Sequence, residues 1–300
     1  MNIIVTGASG FVGTHLCQVL VDKGYNVTGV GTSKRHRLQG VDRFEWISAD
    51  TTIEGQWQDK IKSAQALINL TGKNIFGYWT SEYKAQIYQS RILTTRNIVA
   101  ALPDGKKTVL LNTSAIGYYG DRGEDSLNES EPAGSDFLAK VCVDWENAAL
   151  KAQEKGARVV LMRFGVVLGK NGGALKKMLP AFKFCAGGPL GKGIQWFPWI
   201  HLHDLINAIL LFIKDDKISG PVNLVAPGAL RHREFASALG QSLNRPAFIP
   251  APAFMIKAIM GEMGSSFLSS QKALPAVLSN NGFDFKYGDI KKAIENIIFM

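Results

Sequence analysis

The stretch that decides the fold is the first thirteen residues, which read Met1-Asn-Ile-Ile-Val-Thr-Gly-Ala-Ser-Gly-Phe-Val-Gly13. An apolar run at positions 3–5 predicts a buried strand, and the apolar spacing that follows predicts an amphipathic helix. Gly7 allows a sharp turn off the strand, Gly10 allows a pyrophosphate to approach the backbone, and Gly13 allows helix and strand to pack closely. The stretch therefore predicts dinucleotide binding, with a plain tight turn as the alternative.

The helix that follows this loop offers N–H groups and a positive dipole end to phosphates. We therefore expect the cofactor to lie against the start of the chain. The predicted contacts in this loop are Gly7, Ser9, Gly10, Phe11, Val12 and Gly13.

The bulk composition is that of a globular protein. The chain has 300 residues, of which 46% are hydrophobic and 20% are charged, and this allows a sizeable core. No apolar run reaches the length of a membrane span, and the N-terminus lacks the zones of a signal peptide. The three cysteines are odd in number and widely spaced, so neither a disulfide framework nor a zinc site is predicted. We expect a cytoplasmic protein without a membrane partner.

The formal net charge of +9 raises the question of nucleic-acid binding. No helix-turn-helix, zinc-finger or RNA-binding signature accompanies this charge. The lysines are spread over predicted helix faces, apart from one basic cluster at residues 34–37. We predict no nucleic-acid partner and assign the cluster to a small anionic ligand.

The residues after the second predicted strand, Asn26–Val30, distinguish between the two nicotinamide cofactors. In proteins that bind a dinucleotide through such a glycine loop, an Asp or Glu after the second strand binds the ribose 2′-hydroxyl of NAD. This chain instead continues with Gly31, Thr32, Ser33, Lys34 and Arg35. Small hydroxyl residues beside two cations suit a 2′-phosphate, because the phosphate is anionic and accepts forked hydrogen bonds. NADP(H) is therefore predicted, with an exposed basic loop as the alternative.

Two further strand ends fall at the same predicted crevice. Phe44–Ser48 predicts a third strand, and Asp50 after it either faces the adenine amine or caps a helix. Ala66–Leu70 predicts a fourth strand that runs into Thr71 and Gly72. Ligands of parallel sheets bind at this carboxyl edge, so the turn lies where the crevice is expected.

A long helix is predicted over residues 80–101, with Thr80 or Ser81 as its start signal. Arg91 lies one turn after Ile87 on this helix. Its side chain either points to the cofactor groove or takes a surface or ion-pair role.

The end of the fifth predicted strand, at residues 108–113, is the second informative stretch. It feeds into Ser114-Ala-Ile-Gly-Tyr-Tyr-Gly-Asp121. Hydroxyls and phenols at this point could meet a substrate carbonyl or hydroxyl beside a nicotinamide ring. Ser114, Tyr118 and Tyr119 are therefore candidate catalytic residues, with a glycine turn between packed tyrosines as the alternative.

Strands alternate with helices along the rest of the chain and predict an α/β fold, a Rossmann-type doubly wound parallel sheet covered on both faces. We expect residues 1–165 and 203–228 to form the NADP(H)-binding domain. Residues 166–202 and 229–300 are expected to form a smaller, mainly helical C-terminal substrate lobe. Within it, the segment 187–199 is rich in glycine and proline and predicts a loop over the pocket.

His201, His203 and Asp204 stand close together in the sequence, as metal ligands often do. A metal site needs further ligands, and none accompanies them. We therefore predict no metal and give these histidines structural roles.

Taken in chain order, these motifs resemble the extended short-chain dehydrogenase/reductase superfamily, in its nucleotide-sugar epimerase and dehydratase group. The resemblance rests on Thr6–Gly13, on Tyr-Tyr-Gly at 118–120, on the run from Arg163 to Gly169, and on residues 199–204. More narrowly, the chain resembles an "epimerase family protein" subfamily with a small C-terminal domain. The segments that carry this closer resemblance are Asn69–Asn74, Ser90–Thr94, Gly187–Gly191, Phe197–His201, Ser269–Pro275 and Gly282–Phe285.

The resemblance implies an NADP(H)-binding protein that acts on a small carbonyl or nucleotide-sugar-like substrate, as a monomer or a homodimer. The cofactor contacts it implies are Gly7, Gly10, Gly13, Gly31, Thr32, Leu70, Thr71, Arg91, Arg163 and Val167.

The chain departs from the superfamily at its catalytic signature, a Tyr followed four residues later by a Lys. Phe137 stands near the Tyr position, and Val141 stands where the Lys is wanted. Lys140 is one residue out of register, which rotates its side chain by about 100° around a helix. We predict an NADP(H)-binding oxidoreductase or epimerase-like protein with a non-standard catalytic site. The alternative is a non-catalytic NADP(H)-binding sensor or assembly protein.

Overall fold

The computed structural model describes residues 1–299. Its first half contains, in chain order, β1 (Asn2–Thr6), α1 (Phe11–Asp22), β2 (Asn26–Gly31), β3 (Phe44–Ser48), β4 (Ala66–Asn69), α2 (Ser81–Ala101), β5 (Val109–Ala115), β6 (Ser126–Leu127) and α3 (Phe137–Leu150). The second half contains β7 (Arg158–Phe164), β8 (Val166–Leu168), α4 (Gly173–Lys183), β9 (Trp199–His201), α5 (Leu202–Lys214), β10 (Gly220–Leu224), α6 (His232–Ser242), α7 (Ala253–Ser266), β11 (Lys272–Ala273), α8 (Ala276–Asn280) and α9 (Ile290–Phe299). Short 3-10 helices cover Gln56–Ser63, Ile116–Tyr119 and Lys151–Lys155.

The centre of the fold is a seven-stranded sheet in the order β10-β7-β5-β4-β1-β2-β3. All neighbouring strands in it are parallel. This confirms the predicted doubly wound sheet. The strand order reverses between β1 and β4, which is where ligands bind in sheets of this kind.

The apolar run in β1 is buried on both faces of the sheet. Ile3 and Val5 pack into one core with α1 and α5, whereas Ile4 packs into a second core with α2 and α3. Because successive side chains of a strand alternate between faces, a continuous β-branched run fits a strand that helices cover on both sides.

A third core holds the C-terminal lobe together. It joins α4, α6 and α9 through side chains such as Phe182, Phe235 and Ile294. Residues 187–198 contain no helix or named strand and run across this lobe as a loop, as the composition predicted.

Two short pairings were not predicted. β11 pairs with β6, and β8 pairs with β9, in each case parallel. These strands are two or three residues long, too short for a period to emerge from the sequence. Helix α3 ends at Leu150 and continues as a 3-10 turn to Lys155. Among residues 1–299, no helix is both long and apolar enough to cross a membrane.

Candidate functional site

The glycine loop leaves no room for side chains where β1 meets β4. Gly7 has a φ of 69°, and a Cβ there would lie 2.7 Å from the carbonyl carbon of Leu70 and 2.8 Å from the amide nitrogen of Thr71. A Cβ at Gly13 would lie 2.7 Å from the Cα of Ala8. Glycine is required at both positions, because the loop packs directly against β4 and α1 packs directly against the loop.

The N-terminus of α1 is open to a ligand. Gly10 is its N-cap residue, and it offers no side chain to satisfy the first N–H groups of the helix. Ser9 and Gly10 are exposed, and Ser9 lies beside Gly31 at the end of β2. Unsatisfied N–H groups at an accessible helix N-terminus form an anion site.

Thr71 forms the opposite wall of this crevice. Its amide donates to Asn69 Oδ1 at 3.2 Å, but its buried hydroxyl has no hydrogen-bond partner among the described residues. Gly72 follows, and a Cβ there would lie 3.1 Å from the guanidinium carbon of Arg91. The structure therefore brings Gly7, Thr71, Gly72 and Arg91 together at one edge of the sheet.

Arg91 is held in place by backbone oxygens. Its guanidinium donates to the carbonyls of Lys73 and Ile87, at 3.1 and 2.9 Å, and lies 5.2 Å from the ring of Trp145. Burial lowers the pKa of Arg91. The arginine fixes the turn after β4 beside the glycine loop.

The basic loop after β2 is anchored by His36, which the sequence analysis did not single out. The His36 ring is buried, with its centroid 4.7 Å from that of Phe44 and 5.0 Å from that of Trp46. The amide of Leu38 donates to His36 Nδ1, so Nε2 carries the proton and donates to the Ala8 carbonyl at 3.2 Å. Burial lowers the pKa of His36, which favours this neutral form.

His36 thereby ties the basic loop directly to the glycine loop. Thr32, Ser33, Lys34 and Arg35 remain exposed, and the indole of Trp46 donates to the Ser33 carbonyl at 3.1 Å. A signal for His36 was present in the sequence, since it is the one aromatic residue in a run of cations and hydroxyls.

Four other predicted cofactor residues have contacts of their own within the protein. Asp50 Oδ1 accepts from the amide and the hydroxyl of Thr52, at 2.9 and 2.7 Å, and so closes a local turn; it does not cap a helix, because the next one starts at Gln56 with Gly55 as its N-cap residue. Phe11 packs over Gly173, whose missing Cβ would also lie 2.8 Å from the carbonyl oxygen of Val167. The glycine loop and β8 are thus neighbours, and Val12 packs into the core beneath them.

The end of β5 differs, because its polar side chains bond to one another. Ser114 is buried and donates to Glu146 Oε1 at 2.7 Å. Arg163, on β7, donates from Nε and a terminal nitrogen to the two Glu146 oxygens, both at 2.9 Å. Burial alone would lower the pKa of Arg163, but the hydrogen bonds and charge of Glu146 raise it above its ordinary value.

Ser114 was predicted to be catalytic and Arg163 to contact the cofactor. In the structure, both side chains are instead bonded to Glu146 inside the protein. Arg163 is only 3% exposed, and its remaining nitrogen donates to the Tyr119 hydroxyl at 2.9 Å and to the Glu129 carbonyl. Ser114 and Arg163 stand opposite each other on neighbouring strands, and both side chains are buried against Glu146 of α3.

The two tyrosines also differ. Tyr119 is fully buried, and its hydroxyl lies 2.8 Å from Asn223 Oδ1 and 2.9 Å from the Asn128 carbonyl. Burial is the main cause that raises the pKa of Tyr119. Tyr118 is half-buried, and the Arg163 guanidinium carbon lies 3.5 Å from the centroid of its ring. Of the three predicted catalytic residues, Tyr118 is the one with solvent access.

The positions of the usual Tyr–Lys relay are filled by packing residues. Phe137 contacts Trp79, with ring centroids 5.3 Å apart, and Val141 is buried. Lys140 is exposed on the outer side of α3.

The histidine segment is structural in the described chain. His201 is the N-cap residue of α5, where its Nδ1 accepts from the amide of His203. Asp204 is buried and accepts from the amides of Lys286 and Tyr287, which fastens α5 to the C-terminal segment. Within residues 1–299, no group of three or more His, Cys, Asp or Glu residues is placed to hold a metal ion.

The chain is similar to several known proteins. The chain is 39% identical to the "Epimerase family protein SDR39U1 homolog, chloroplastic" of Arabidopsis thaliana, over 99% of this chain and 87% of that protein. It is 35% identical to the "Epimerase family protein YfhF" of Bacillus subtilis, over 99% of this chain and 98% of that protein. A crystal structure of the human epimerase family protein SDR39U1 (isoform 2) with NADPH superposes with a TM-score of 0.87 at 29% identity, covering 99% of both chains.

Two family sequence models match the chain in succession. The NAD dependent epimerase/dehydratase family matches residues 3–224, and a domain of unknown function, DUF1731, matches residues 251–297. This confirms the predicted resemblance. The chain belongs to the NAD dependent epimerase/dehydratase family, and it carries the DUF1731 domain at its C-terminal end.

Proposed function

We propose that the protein is an NADP(H)-binding oxidoreductase or epimerase-like enzyme with a non-standard catalytic site. The observation that carries this proposal is the crevice between β1 and β4. Among residues 1–299, it combines an uncapped helix N-terminus at Gly10, a buried Thr71 hydroxyl without a hydrogen-bond partner and a carboxylate-free basic loop. A dinucleotide with an extra phosphate satisfies all three features at once.

Each part of the crevice has its own share in holding the cofactor. The N–H groups at the start of α1 would bind the pyrophosphate, and Gly7 and Gly10 allow its approach. Lys34 and Arg35 would bind the 2′-phosphate, with Thr32 and Ser33 as further hydrogen-bond donors. When bound, NADP(H) supplies the hydride chemistry, and the protein contributes position and proton transfer.

Relatives support the choice of cofactor. The human structure with a TM-score of 0.87 contains NADPH. The loop of this chain carries no carboxylate between Gly31 and Arg37. An NAD-specific protein would use a carboxylate there to bind the ribose 2′-hydroxyl. The cytoplasmic location, the two-part domain division and the choice between monomer and homodimer stay predictions.

Tyr118 is the residue we propose for proton transfer or carbonyl polarisation. It is half-buried at the end of β5, and the cation of Arg163 lies against its ring. Arg163 supplies a fixed positive charge beside this phenol, as Lys does in the usual relay. Ser114, Glu146 and Tyr119 act as positioning residues, because they hold Arg163 in place.

The experiment is an NADPH-oxidation screen with small carbonyl compounds and nucleotide sugars. We expect turnover by the wild-type protein, and we expect Tyr118→Phe to lower kcat by about a hundredfold, the usual contribution of a general acid. The variant should bind NADPH as the wild type does. Turnover that is unchanged in Tyr118→Phe would remove this residue from the mechanism.

A second candidate function follows from the missing relay. Phe137, Val141 and exposed Lys140 replace the usual pair, and Ser114 and Tyr119 are locked into the core. A fold can keep its cofactor and lose its chemistry, so a non-catalytic NADP(H)-binding sensor or assembly protein fits the same residues. A partner protein that binds only the NADPH-loaded form, together with no turnover in the screen, would favour this function.

A further inference from the structure

Two segments of the C-terminal lobe contain cations and no carboxylate. Residues 166–203 and 235–261 include no Asp or Glu. Their cations are all exposed: Lys170, Lys176, Lys177, Lys183, Lys192, Arg245 and Lys257. The net charge of +9 is therefore not evenly spread, since these short segments supply a large part of it.

The same segments expose large apolar side chains. Phe184 is 83% exposed, Phe254 is 73% exposed and Ile259 is 71% exposed. Phe248, Ile249 and Met255 are exposed as well. Single exposed apolar residues are ordinary, but a group of this size marks an interaction surface.

Backbone contacts place these residues on one surface. The loop after α4 lies so close to residue 249 that Gly188 has no room for a Cβ beside the Ile249 carbonyl. Ala251 exchanges hydrogen bonds with this loop, accepting from the Gly191 amide at 2.8 Å and donating to the Pro189 carbonyl at 2.9 Å. We call this surface the basic apolar face. It consists of Lys183, Phe184, Arg245, Phe248, Ile249, Phe254, Met255, Lys257 and Ile259.

Helix α7 shows that the face points outward. After the break at Gly261, α7 packs Met263 against Trp79, and the exposed Glu262 pairs with Lys84 at 2.7 Å. The turns before Gly261 bury Ile256 and leave Phe254 and Ile259 exposed. A groove of about 1190 Å³ at the edge of the face is lined by the cations Arg233, Arg245 and Lys291 and by one carboxylate, Glu234.

The exposed cations and apolar side chains of the face indicate what kind of partner it binds. A second copy of the chain is disfavoured, because two faces rich in cations and without carboxylates would repel each other. Aromatic and aliphatic side chains among lysines are the pattern of proteins that lie on anionic lipid bilayers. The rings enter the headgroup boundary, while the cations meet lipid phosphates.

We infer that the basic apolar face docks the protein on the surface of an anionic membrane. Peripheral docking needs no membrane-spanning helix. The expectation of no membrane partner rested on the lack of a span and of a signal peptide, and the exposed residues of α7 revise it. The inference does not depend on the proposed cofactor.

The test is co-sedimentation of the full chain with vesicles. One set contains phosphatidylcholine alone, and a matched set adds phosphatidylglycerol. We expect binding to the second set only, and we expect it to weaken as the salt concentration rises, because salt screens the cations. No binding to phosphatidylglycerol vesicles at low salt would overturn the inference. Tight binding of poly-glutamate without vesicle binding would also overturn it, in favour of an acidic protein partner.

Variants of the face separate its two contributions. Each lysine near an anionic surface contributes about fivefold to binding, so Lys183→Glu with Lys257→Glu should weaken binding by at least about twenty-five-fold. Phe254→Ser with Ile259→Ser should weaken it through lost apolar contact. The matched controls are Lys151→Glu and Ile53→Ser, both exposed in the nucleotide-binding half. Face variants that melt normally and bind vesicles as tightly as the controls would contradict the inference.

Discussion

The glycine loop and the end of β5 lie at the same edge of the sheet, but they differ in whether their polar groups have hydrogen-bond partners within the protein. Around the glycine loop, the start of α1 has no side-chain cap, and the buried Thr71 hydroxyl has no partner in the described chain. At the end of β5, Ser114, Glu146 and Arg163 satisfy one another inside the core.

This difference separates groups kept for a ligand from groups used by the protein. A buried polar group without a partner costs about 1–3 kcal/mol, so its presence at a binding crevice calls for a ligand that satisfies it. A buried, fully bonded ion pair has no need of one. The buried polar groups of Ser114, Glu146 and Arg163 are satisfied within the protein, while the Thr71 hydroxyl beside the glycine loop has no partner among the described residues.

The largest expected effect comes from breaking the closed cluster. Glu146→Ala leaves the Arg163 guanidinium buried without its counter-charge, so the free energy of unfolding should fall by about 3–5 kcal/mol. Chemical denaturation measures this loss. The matched control is Glu131→Ala, whose carboxylate is 3.8 Å from Arg122 near the surface and should matter little. Equal losses in the two variants would show that the cluster at β5 is not structural.

The glycine loop is tested by Gly7→Ala against Gly40→Ala. Both glycines have positive φ, at 69° and 88°, but a Cβ at Gly40 meets nothing within 4 Å. The backbone penalty of about 1 kcal/mol is therefore shared. Gly7→Ala should lose about 2–3 kcal/mol more, because its Cβ meets the backbone of Leu70. Thermal denaturation of both variants gives the difference, and a difference near zero would contradict the close packing of the loop on β4.

The smallest effect is the most specific one. Thr71→Val removes a hydroxyl that has no partner in the described chain, so the ligand-free protein should gain about 1 kcal/mol of stability. NADPH binding should weaken at the same time, by about fivefold, since the ligand loses one hydrogen bond. Calorimetry and nucleotide titration give the two numbers.

Thr51→Val is the control for that substitution. Its hydroxyl is buried and lies 2.8 Å from that of Thr94, so this variant should lose stability and keep its NADPH affinity. If Thr71→Val behaved like Thr51→Val, the Thr71 hydroxyl would have a partner within the protein.

The fold was largely predictable, because its signals are local. Strands β2 and β3 begin at Asn26 and Phe44 as predicted, and their observed limits lie within a residue of the predicted ones. The long helix α2 begins after Thr80, whose hydroxyl accepts from the Tyr83 amide as its start signal predicted. The pairs β6–β11 and β8–β9 depend on distant residues and leave no such signal.

The site was predictable only in part. Glycines act through their own backbone, so their roles at Gly7 and Gly13 could be derived from position alone. The burial and bonding of Ser114 could not be predicted in this way. They depend on which face of β5 it occupies and on Glu146, which lies thirty-two residues later in the chain. His36 likewise acts through Phe44 and Ala8, contacts that no local pattern reveals.

We expect the open crevice beside the glycine loop to bind NADP(H) in preference to NAD(H). The most direct test is titration of the protein with NADPH, NADP⁺, NADH and NAD⁺, followed by the fluorescence of its tryptophans, one of which, Trp46, bonds to the basic loop. We expect the phosphorylated pair to bind at least about tenfold more tightly, because a charged hydrogen bond contributes about 1.5–3 kcal/mol. Lys34→Ala with Arg35→Ala should abolish this preference, while Lys151→Ala at the opposite edge should keep it. Equal affinity for all four nucleotides, or binding of none, would contradict the claim.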